Sequence, residues 1–65
     1  MSGDKVKWRI TTDQGARDTW AVSPNKAVRN VRYRMVMDGR AYRTPRPSDL
    51  AAMRDIEIVR IEKVI

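Results

Sequence analysis

From Lys5 to Thr11 apolar and polar side chains alternate without a break, with Val6, Trp8 and Ile10 on one side and Lys5, Lys7, Arg9 and Thr11 on the other. A period of two puts each set on its own face of a strand, so this segment has to be a strand buried on one face only. Such a strand needs neighbours to pair its backbone and a second layer to cover its apolar face. The rest of a 65-residue chain must supply both.

Asp13-Gln14-Gly15 offers the chain reversal, with Gly15 free to take a positive φ, and Asp18-Thr19-Trp20-Ala21-Val22 reads as the returning strand. In this reading Trp8, Trp20 and Val22 share the core-facing side, where two tryptophans serve as packing rather than as a stacking platform. Ser23-Pro24 starts a helix sharply, because serine accepts from a free amide and proline at the first helical position gives up no hydrogen bond. On a 3.6-residue wheel Ala27, Val28, Val31 and Met35 form the apolar stripe. Lys26, Arg29 and Tyr33 lie opposite, Arg32 and Arg34 sit at the two rims, and Val36 and Met37 fall on the basic face as potential partner contacts. Asp38-Gly39 ends the helix, glycine being the natural left-handed terminator.

Between Arg40 and Pro47 the two prolines Pro45 and Pro47 favour an extended connection. Ser48 is placed to cap a short helical turn over Asp49-Leu50-Ala51-Ala52-Met53, with its apolar residues over one edge of the core. Asp55 to Ile65 is rich in β-branched residues and reads as a strand whose alternation breaks where Ile58 adjoins Val59, through a bulge or cover on both faces. The expectation is a single domain over residues 1–65 of the α+β class. It has a small three-stranded, mainly antiparallel sheet with one main helix packed on one face, in the order β-β-α-β, and a short extra helical turn before the last strand. That strand can lie beside either hairpin strand, or pair with a second copy in a homodimer.

A chain this short buries little of its surface and usually needs a staple or a partner; cysteine is absent, which closes the disulfide route and points to a reducing, cytoplasmic setting. The segment from Met1 to Lys5 leads straight into the alternating strand, and no apolar run is long enough for a signal peptide or a membrane span, so a soluble protein without membrane contact is expected. Histidine is also missing, and with it the commonest general base and metal ligand. The eight acids are scattered over turns, caps and strand faces, and no glycine stretch resembles a phosphate-cradling loop. A noncatalytic protein with no cofactor and no metal is the reading.

Charge is the most informative feature. The net charge of +6 resides in residues 26–46, where Lys26, Arg29, Arg32, Arg34, Arg40, Arg43 and Arg46 face the single acid Asp38, while the remainder carries equal numbers of each sign. A solvated helix face ordinarily mixes signs, and no acid occurs between Lys26 and Met37, which favours a binding surface. Arg40, Arg43 and Arg46 recur every third residue, the period of a polyproline II helix, which would project them from one edge beside Tyr42. Arginine grips phosphate bidentately and stacks on bases, and ten arginines accompany four lysines.

The hairpin followed by Ala21-Val22-Ser23-Pro24-Asn25-Lys26-Ala27 and an arginine-rich helix resembles small uncharacterised basic proteins of phages and prophages over residues 5–37. The order of elements is also similar to that of the archaeal ribosomal protein LX family, which implies RNA contact. Asp55-Ile56-Glu57-Ile58-Val59-Arg60-Ile61 stands in the place of its closing strand, and the proline-bearing connection departs from it. Neither resemblance carries a functional residue over. The sequence therefore points to nucleic-acid binding through Lys26, Arg29, Arg32, Tyr33, Arg34, Arg40, Tyr42, Arg43 and Arg46. The alternative is a protein-interaction module, a phage-type inhibitor or adaptor docking this basic face on an acidic partner.

Overall fold

The structure, a computed structural model, describes residues 4–64; Ile65, the end of the expected last strand, lies outside them. Strand β1 spans Val6–Thr12 and β2 spans Gly15–Ala21, followed by helix α1 over Pro24–Met37, helix α2 over Pro47–Asp55 and strand β3 over Ile58–Lys63. The sheet has the order β2-β1-β3 with both pairings antiparallel, which makes β1 the central strand. This is the expected α+β arrangement with the extra helical turn grown to a nine-residue helix, so the order becomes ββααβ. The last strand pairs with β1 inside the chain, and its break in alternation is a bulge: Thr11 faces Arg60 while Thr12 faces Ile58, which skips Val59.

The hairpin turn sets the register of the whole sheet. Thr12 pairs with Gly15, its Oγ1 accepts from the amide of Gln14 at 3.0 Å and donates to the Gly15 carbonyl at 2.8 Å. Among the described residues no side-chain-bearing residue has a positive φ, so Gly15 absorbs the reversal at φ +119°. A Cβ there would meet nothing within 4 Å, so Gly15→Ala would feel backbone strain alone. We expect a loss of about 1–3 kcal/mol, read as a lower urea midpoint at unchanged slope. A midpoint equal to that of the parent chain would mean the turn has another conformation open to it.

That register overturns the expected placement of Trp20. Directly opposed residues of an antiparallel pair share a face, and Val6, Trp8 and Ile10 oppose Ala21, Thr19 and Arg17. Thr19 and Ala21 are buried accordingly, whereas Trp20 opposes Lys7 on the face away from α1 and is 53% exposed. Trp8 stays on the core side, where its indole Nε1 donates to the Ala21 carbonyl at 3.0 Å.

Helix α1 begins as expected, with Ser23 Oγ accepting from the Lys26 amide at 3.3 Å and Pro24 in the first turn, and ends at Gly39 with φ +81°. It lies over β1 and β2 and packs its flank on α2. Ala27 and Val31 are fully buried against Ile10 and Ala21, with Trp8, Val28, Met35 and Ile58 packed around them. Met37, expected on the basic face, is buried at the end of the helix, and Val36 is half-buried. The cap of α2 also differs from expectation. Pro47 opens the helix, and Asp49, not Ser48, satisfies its start by accepting from the Arg46 amide at 3.0 Å. Of the residues expected to cover the core from α2, Leu50 is exposed, while Ala51, Ala52 and Met53 are half-buried. No described helix is long and apolar enough to cross a membrane.

Candidate functional site

Two grooves run in line along the seam where α1 meets the edge strand β2. The first, about 530 Å³, is lined by Lys5, Trp20, Ala21 and Val22 from the end of the hairpin and by Lys26, Arg29 and Asn30 from the first half of α1. The second, about 380 Å³, lies between Arg17 of β2, Tyr33, Arg34 and Met37 of α1, and Asp38, Arg40, Tyr42 and Arg43 beyond it. A 14-residue helix is about 21 Å long, so cations are set along the whole of one seam. Asp38 is the one acid that lines either groove.

Hydrogen bonds and ion pairs divide the basic residues into two groups. Some are engaged within the fold. Arg32 Nη2 donates to the Ile56 carbonyl at 2.9 Å and its Nε is buried, so this side chain clamps α1 to the segment before β3. Arg40 donates from Nε to the Val36 carbonyl at 3.1 Å and pairs with Asp49 at 3.5 Å. The Arg46 guanidinium lies 4.2 Å from the centre of the Tyr42 ring. On the outer sheet face Asp18 pairs with Arg9 at 3.0 Å and with Lys7 at 3.7 Å, and Arg60 pairs with Glu62 at 3.4 Å. Among the described residues Lys5, Arg17, Lys26, Arg29, Arg34 and Arg43 make no ion pair, and all six are exposed and line the two grooves; Arg54, beside α2, and Lys63, at the end of β3, are likewise exposed without an ion pair but lie off the seam.

The connection from Arg40 to Arg46 is folded back rather than projecting. Tyr33 Oη donates to the Arg43 carbonyl at 2.7 Å, and Tyr42 Oη donates to Asp49 Oδ2 at 2.7 Å. Asp49 is buried at 3% exposure, and its carboxyl is held below the usual carboxylate range by the Arg46 amide and then by the Tyr42 hydroxyl. Tyr42 is raised by the same hydrogen bond. Asp18 is likewise lowered, first by the hydrogen bond from Arg9. These contacts turn Arg40, Tyr42 and Arg46 into a latch around α2 and leave Arg43 as the free cation of the connection. No family, no curated protein and no solved structure matches this chain.

Of the nine residues singled out in the sequence, Lys26, Arg29, Arg34 and Arg43 stand free on the seam. Tyr33, 39% exposed, lines it with its hydroxyl engaged. Arg40 and Tyr42 border the second groove but serve the latch, Arg46 stacks on Tyr42, and Arg32 points to the opposite flank of α1. Sequence reasoning missed Lys5, Arg17 and Trp20. A signal existed: with Arg9 on the polar face of β1, an ion pair with Asp18 across the hairpin places Asp18, and hence Trp20 two residues on, on that same outer face.

A third groove, about 490 Å³, lies on that opposite flank of α1, with Val28, Leu50 and Met53 as its apolar part and Arg29, Arg32 and Arg54 around them.

Proposed function

We propose that the chain is a noncatalytic nucleic-acid-binding protein whose contact surface is the α1–β2 seam. The observation that carries this reading is the segregation of its cations: six unpaired, exposed Lys and Arg side chains border one pair of aligned grooves, whereas the basic residues of the outer sheet face are largely matched by Asp18 and Glu62. Aligned cations of one sign fit a polyanion with regularly spaced charges. The cysteine-free sequence supports placing it in a reducing compartment such as the cytoplasm.

Titration with nucleic acid at several salt concentrations tests the proposal. If all six cations neutralise phosphates, log affinity falls against log salt with a slope of about −4 for single strands and about −5 for duplex. Replacing Lys26 and Arg29 with glutamine should flatten the slope by about 1.5–2. The same replacement of Arg60 and Lys63, on the far edge strand, should leave it unchanged. Equal losses from both pairs, or no binding at low salt, would overturn the seam as the contact surface.

A second reading is supported by the groove between α1 and α2. Leu50 is 46% exposed there beside Val28 and Met53, and three arginines surround the apolar floor. That chemistry suits an acidic protein segment carrying an apolar anchor. Loss of partner binding on Leu50→Ala with nucleic-acid affinity intact would favour it.

A further inference from the structure

We infer that the first groove is a single-strand site in which an unpaired base stacks on Trp20; this rests on the nucleic-acid reading and specifies its ligand. Tryptophan carries the largest apolar surface of any side chain, and a 65-residue chain that leaves half of one in water gives up packing it can ill spare. The exposure is enforced by the hairpin register, which commits Trp20 to the face away from α1, so it does not arise from a loose core. Strand β2 is an edge strand, so no further strand borders the indole on that side.

What surrounds Trp20 selects the ligand. The groove it borders holds Lys5, Lys26 and Arg29 with no acid among its lining residues, and Asn30 contributes an amide able both to donate to and accept from a base edge. On the indole's own outer face Lys7 stands opposite, and Asp18, two residues back, is engaged by Arg9 and Lys7. One flat aromatic face beside three cations and one amide is the combination that holds a single strand: phosphates along the cations, a base against the ring. A duplex keeps its bases stacked inside and offers Trp20 no free face. It can use only the cations. The second groove, with Arg17, Arg34 and Arg43, continues the phosphate track away from the stacking position.

Indole fluorescence makes the test direct, because Trp8 is half-buried with its Nε1 bonded to the Ala21 carbonyl, which leaves Trp20 as the indole open to a ligand. The full chain is titrated with an oligothymidylate of about ten nucleotides and with a duplex of equal length, a span suited to one small single-strand site. Single-strand binding should quench the fluorescence. Trp20→Ala should lower single-strand affinity by about tenfold to a hundredfold, Trp20→Phe should keep most of it, and the salt slope and duplex affinity should stay as they were. Single-strand affinity unchanged in Trp20→Ala, or equal losses for single strand and duplex, would overturn stacking while leaving the cation seam standing. No binding of either probe to the parent chain at low salt would overturn both.

Discussion

Ile10→Ala is expected to leave a large fraction of the chain unfolded at 25 °C. Ile10 has no exposed surface, sits in the middle of the central strand between Arg17 of β2 and Ile61 of β3, and packs against Ala21, Ala27 and Val31. Two of those neighbours are alanines, which cannot swing a longer side chain into the void, so the cost should fall toward the upper part of the usual range of about 2–5 kcal/mol. A chain of this length has a total stability of about 3–10 kcal/mol, so one substitution removes much or all of it. Urea unfolding followed by circular dichroism measures the loss, with Ile10→Val as the graded control at about 0.5–1.5 kcal/mol. A loss below about 1 kcal/mol for the alanine variant would show that the core is centred elsewhere.

Asp49→Ala should have the next largest effect, because one buried carboxylate closes several contacts at once. It accepts from the Arg46 amide that starts α2, accepts from the Tyr42 hydroxyl, and pairs with Arg40. Removing it leaves these donors without their acceptor, and the expected fall in Tm is roughly 10 °C or more for a domain of this size. The pH dependence has a definite sign. The folded-state pKa of Asp49 is lowered, so its contribution is present above the unfolded value near 4 and is lost as pH falls through the folded value. Asp18 is shifted in the same direction through Arg9, so Asp49→Asn should weaken the acid-induced loss without abolishing it. Thermal unfolding of both chains from neutral pH down to about pH 2 checks this, and superimposable curves would remove Asp49 from the account.

What could be read without the structure were features governed by a few adjacent residues. Alternation from Lys5 to Thr11, the Ser23-Pro24 start and the Gly39 stop each follow from backbone geometry within one turn or one strand, and each stands where expected. The break at Ile58 and Val59 was legible too, because two adjacent apolar residues cannot both follow a period of two, but the choice between a bulge and cover on both faces was made by the fold, as a bulge. The face of Trp20 was decided by the turn at Asp13 and Gln14, whose register propagates down both strands. A local preference for burying a large aromatic gives no measure of that register.

The status of each arginine was beyond local reading altogether. In sequence Arg29 lies opposite the apolar stripe and Arg32 at its rim, and both are counted among the cations of one basic surface. In the fold Arg32 meets a carbonyl 24 residues further on, while Arg29 meets none. Net charge and its concentration in residues 26–46 belong to the sequence by itself, since composition is independent of conformation. Which of those charges stay free to meet a ligand was decided by the tertiary structure, because a cation is neutralised by whatever acceptor lies within hydrogen-bond reach, and only folding brings distant acceptors that close.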